Sequence, residues 1–113
     1  MNILTIQSVI IANQLLPETV QQLEKDFLMI GVNFDIEKPV KDYKKLFSFT
    51  YNLVNTINEK DPKLILNLLY RIDLIEEKIK SQIQKTKLSF SVMLSEMIVK
   101  RELYKVILRR NYF

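Results

Sequence analysis

Cysteine, histidine and tryptophan are all missing from this 113-residue chain. Without Cys or His there is no thiolate nucleophile, no imidazole base to activate a serine, and no zinc site built on those ligands. Most hydrolase mechanisms fall away, and disulfides with them, which fits a reducing compartment. Gly31 is the only glycine. A loop that cradles phosphate needs several glycines so that backbone amides can approach the anion, so neither a P-loop nor a dinucleotide fingerprint is present. One Gly and three Pro are also too few to turn the hairpins of an all-β chain. No uncharged apolar run approaches the roughly 20 residues of a membrane span. The opening MNILTIQSVIIANQLL has no basic leading region and no small-residue cleavage motif, so it does not read as a signal peptide. The expectation is a soluble, cytoplasmic protein that is not an enzyme, carries no cofactor or metal, and has no membrane partner.

What is present favours helices: 48% of residues are hydrophobic and 27% charged, with no low-complexity tract, repeat or dividing linker. We expect one helical domain over residues 1–113, an all-α, mostly antiparallel bundle of four or five helices. Its organising stretch is Asp61–Ile83, where Asp61 can cap free amides and Pro62 suits the first helical position. At helical spacing Leu64, Ile65, Leu68, Leu69, Ile72, Ile75, Ile79 and Ile83 form one wide apolar stripe, which predicts a continuous central helix. Leu66, Tyr70 and Leu74 make a narrower row on nearly the opposite side. That row is a candidate partner interface, although burial by the chain itself is the simpler account.

The flanking segments follow the same logic. Residues 1–16 are read as a helix, but the β-branched residues of 3–11 also suit a strand that could pair with Val32–Ile36, giving an α+β alternative with a small strand pair. A helix beginning at Pro17 buries Leu16, Val20, Leu23, Phe27 and Ile30 and ends at Gly31. Val32, Phe34 and Ile36 alternate in an extended segment. From Pro39 the helical period returns, with Tyr43, Leu46, Phe47, Thr50, Leu53, Val54 and Ile57 on one face. Thr86, Ser89 and Ser91 predict a break near Lys85–Ser89, before a last helix from about Phe90 to Arg110. That helix has a second apolar face of Val92, Val99, Leu103, Val106 and Ile107.

Charge is uneven, with eight Lys and Arg against eleven Asp and Glu through residue 77, and nine against two beyond it. On the last helix Arg101, Lys105 and Arg109 are four apart and form a candidate anion or nucleic-acid contact. Glu96 and Glu102 offset part of that row, and no stacking platform or helix–turn–helix accompanies it. Arg101 falls within an apolar face, where its head could pair with Asp73. Asp73, Glu76 and Glu77 have a spacing that could meet a hard cation, but pairing with Lys80 explains it more simply. The surplus of two-faced helices points to a non-catalytic interaction or structural protein acting through an apolar helix face on a protein partner or on itself, quite naturally as a homodimer. Nucleic-acid association through the C-terminal basic row is the alternative.

Overall fold

A computed structural model describes residues 6–74, 76–85 and 89–110. Among them lie six helices: α1 (Ile6–Gln14), α2 (Leu16–Met29), α3 (Tyr43–Lys60), α4 (Pro62–Arg71), α5 (Glu76–Lys85) and α6 (Phe90–Arg109). No strand occurs among the described residues, so the fold is all-α as expected. The strand-pair alternative fails on both sides. Residues 6–11 are helical, and 32–36 form no strand, with Ile36 N–H turning back onto the Phe34 carbonyl at 3.0 Å; residues 1–5 lie outside the described residues.

Most boundaries follow from residues with a mechanical reason to be there. Pro17 sits in the first turn of α2, and Gly31 ends it at φ 80° while Val32 N–H reaches back to the Phe27 carbonyl at 3.0 Å. Asp42 caps α3 by accepting from Lys45 N–H at 2.8 Å, Asp61 caps α4, and Ser89 caps α6. Residues 86–88 of the anticipated break lie outside the described residues. The segment after Gly31 is pinned by Phe34, whose ring meets Phe27 at 5.1 Å and Phe49 at 4.8 Å between centroids.

The stretch Asp61–Ile83 departs from expectation. It is two helices, broken after Ile72 where Asp73 adopts a left-handed conformation at φ 60°. Leu74 N–H closes the turn onto the Leu69 carbonyl at 2.9 Å, the wrap that ordinarily ends on glycine. Asp is among the few side chains that tolerate this backbone, so the break carries no Gly or Pro signal. It accounts for six helices in place of four or five. Leu68, Leu69, Ile72 and Ile79 of the predicted stripe are nonetheless buried, while Ile75 and the Ile83 side chain lie outside the described residues.

The centre of the molecule is α6, not Asp61–Ile83: α6 packs on α2, α3 and α5, whereas α4 rests on α2 and α3. Leu23, Phe27, Leu46, Val54, Leu68, Ile72, Leu94 and Ile98 are completely buried. Each such side chain contributes about 1.5–3 kcal/mol of transfer free energy. No described helix is long and apolar enough to cross a membrane.

Candidate functional site

The two sides of α6 do different work. One side meets α2 through buried charge. Ile98, Glu102 and Val106 are spaced four apart and all 0% exposed, so a carboxyl group occupies a core position. Opposite it on α2, Asp26 is 2% exposed. Asp26 Oδ1 accepts from Arg71 Nε at 3.0 Å, and Oδ2 accepts from Gln22 Nε2 at 2.9 Å and Lys105 Nζ at 3.1 Å. Gln22 in turn accepts from Arg109 Nη1 at 2.8 Å. Burial pushes the Asp26 carboxyl up, but hydrogen bonds from Glu102, Gln22 and Lys105 outweigh it and hold the group down at about 2.

Glu102 has no such donors. As a carboxylate neither of its oxygens would receive a hydrogen bond, and Lys105 Nζ stands 3.5 Å away, already committed to Asp26. Burial, together with the neighbouring Asp26, pushes the Glu102 carboxyl up to about 9. Neither carboxyl is accessible to a substrate, which makes the pair part of the framework.

The other side of α6 is only partly covered: Leu103 and Ile107 are half-buried and Val99 is buried. Val99, Leu103 and Ile107, again four apart, form the floor of a groove of about 680 Å³. Val9, Ala12 and Asn13 of α1 supply one wall, and Tyr43 and Phe47 of α3 the other, with Glu96, Lys100 and Tyr104 also lining it. Tyr43 fixes the α1 wall by donating its hydroxyl to the Ala12 carbonyl at 2.6 Å. The volume falls within the range of ligand grooves, and the lining is mainly apolar.

The residues singled out from the sequence separate. Leu66 and Tyr70 are exposed on α4, at 53% and 75%, but Leu74 is buried at 8%. The turn at Asp73 takes Leu74 out of the row and into the core. Of the basic row, Lys105 holds Asp26, Arg109 holds Gln22, and Arg101 donates to the Ile72 carbonyl at 2.8 Å, with Asp73 Oδ2 at 3.7 Å. Arg101 also lies 5.7 Å from the centre of the Tyr104 ring. The three heads are ties to α2 and α4. Asp73 and Glu77 are exposed, the Glu76 side chain lies outside the described residues, and no group of three metal-ligating side chains occurs among the described residues.

Asp26 and Glu102 are what the sequence reading missed as a pair. A signal exists for each: Thr19, Gln22 and Asp26 form a polar row beside the α2 stripe, and Glu102 interrupts an apolar row of α6. Comparison with models of known protein families, with curated proteins and with solved structures finds no match to this chain.

Proposed function

We propose that the chain is a non-catalytic interaction protein that receives an apolar helix of a protein partner in the groove between α1, α3 and α6. The observation that carries this reading is the apolar floor of the groove, where Leu103 and Ile107 of α6 stay half-buried beside the buried Val99. A parallel row of side chains at helical spacing, walled by two further helices, suits an amphipathic helix with anchors three and four residues apart. A homodimer is the case in which a second copy supplies that helix. The lack of Cys, His and glycine-rich loops supports a non-catalytic role, and the lack of Cys suits the cytoplasm.

Nucleic-acid association through Arg101, Lys105 and Arg109 has less support, because their heads are engaged within the fold. Salt-sensitive retention of the protein on DNA or RNA would reverse that order. The groove is tested by Leu103→Glu, which sets a charge on its half-exposed floor. The variant should fold normally by circular dichroism and lose association. Association of equal strength would exclude the groove.

A further inference from the structure

We propose that Glu102 and Asp26 share a single proton and that this proton is a pH-sensitive latch holding α6 against α2. The geometry carries the assignment. Asp26 takes three donors, from α2, α4 and α6, while Glu102 takes none and is 0% exposed. A buried carboxylate without donors is prohibitively costly, so the proton resides on Glu102 and points to Asp26. Losing it would place a second anion beside Asp26, with Lys105 and Arg71 already bound to the first.

The other neighbours offer no compensation. Lys44, Lys45, Glu59 and Lys60 of α3 are exposed, as are Glu77, Lys78 and Lys80 of α5. On α6 itself Arg101 is held by the end of α4, and Arg109 by Gln22. On α2, Glu18 is bound to Arg110 and Glu24 to Lys38.

The direction of the latch follows from linkage. Glu102 titrates near 4.5 in the open chain and about 9 in the fold, so folding takes up a proton between those values. The stabilisation is complete below 4.5 and is withdrawn as pH rises towards 9. Asp26 acts oppositely and lower: its contribution is present above 3.8 and is lost as pH falls towards 2. Because the chain has no His and no Cys, no other side chain ordinarily titrates between about pH 5 and 8.

The test is urea unfolding of the full chain at intervals from about pH 5 to 8.5, beside Glu102→Gln, which keeps the shape and removes the proton. The wild-type folding constant should fall by up to about tenfold per pH unit, while the Gln variant stays nearly level. A level wild type, or an equal slope in the variant, overturns the latch. Should Glu102→Gln not fold, carbon NMR of the wild-type Glu carboxyls decides: one should remain protonated at pH 7, and titration of every Glu near its ordinary value would overturn the proposal.

Discussion

Arg101 on α6 donates its Nε hydrogen to the carbonyl of Ile72 across 2.8 Å, and this bond sits where α4 gives way to the turn before α5. A helix end leaves carbonyls without partners, and here a guanidinium from the central helix satisfies one of them. The turn is therefore a designed stop, and the left-handed Asp73 next to Ile72 is part of it.

Asp73→Gly should stabilise the protein. A non-glycine residue in the left-handed region carries a penalty of about 1–2 kcal/mol, partly offset by the greater freedom of glycine in the unfolded chain. The lost ion pair with Arg101 is long and its Asp73 side chain is 75% exposed, so it contributes little. A gain of about 0.5 kcal/mol in urea unfolding is expected, and Asp73→Val should be strongly destabilising.

Leu69→Ala and Ile72→Ala each remove a buried aliphatic side chain next to that turn, at 5% and 0% exposure. Losses of about 2–5 kcal/mol are expected for each, because the surrounding helices cannot close the cavities. Losses below about 1 kcal/mol at both positions would mean that α4 packs with another face.

How much of this was legible varied with the kind of signal. Gly31, Pro62, Asp61 and Ser89 act through local backbone chemistry, so the ends they mark could be read directly, whereas the helix expected from Pro39 begins only at Tyr43, after the Asp42 cap. Asp73 was opaque, because Asp in a helical pattern reads as a solvated position until tertiary contacts hold it left-handed. The second face of α6 was visible as Val99, Leu103 and Ile107, but whether it was covered depended on where α1 and α3 came to rest. Arg101 was rightly placed near Asp73, whereas its stronger bond to a backbone carbonyl has no sequence signature. In sequence Glu102 pairs with Lys105 three residues on, the pattern of a solvated face, since a charge run usually faces water. Its place between Ile98 and Val106 carried the contrary signal.

Tyr70→Ala separates the two apolar surfaces. With Tyr70 at 75% exposure, folding stability should change by no more than about 0.5 kcal/mol. Partner association through the groove should be unchanged. A weakening of about 1 kcal/mol or more in association would place the interface on α4, with Tyr70 as an anchor.

The central claim, that the groove of α1, α3 and α6 is where a partner helix docks, is tested most directly by site-specific photocrosslinking in native extract. A photoreactive residue replaces Leu103 in one sample and the exposed Glu59 of α3 in another, and the adducts are identified by mass. We predict one dominant protein adduct from position 103, either a distinct partner or a second copy of the chain, and none from position 59. No adduct at 103, or the same adducts from both positions, would contradict the account.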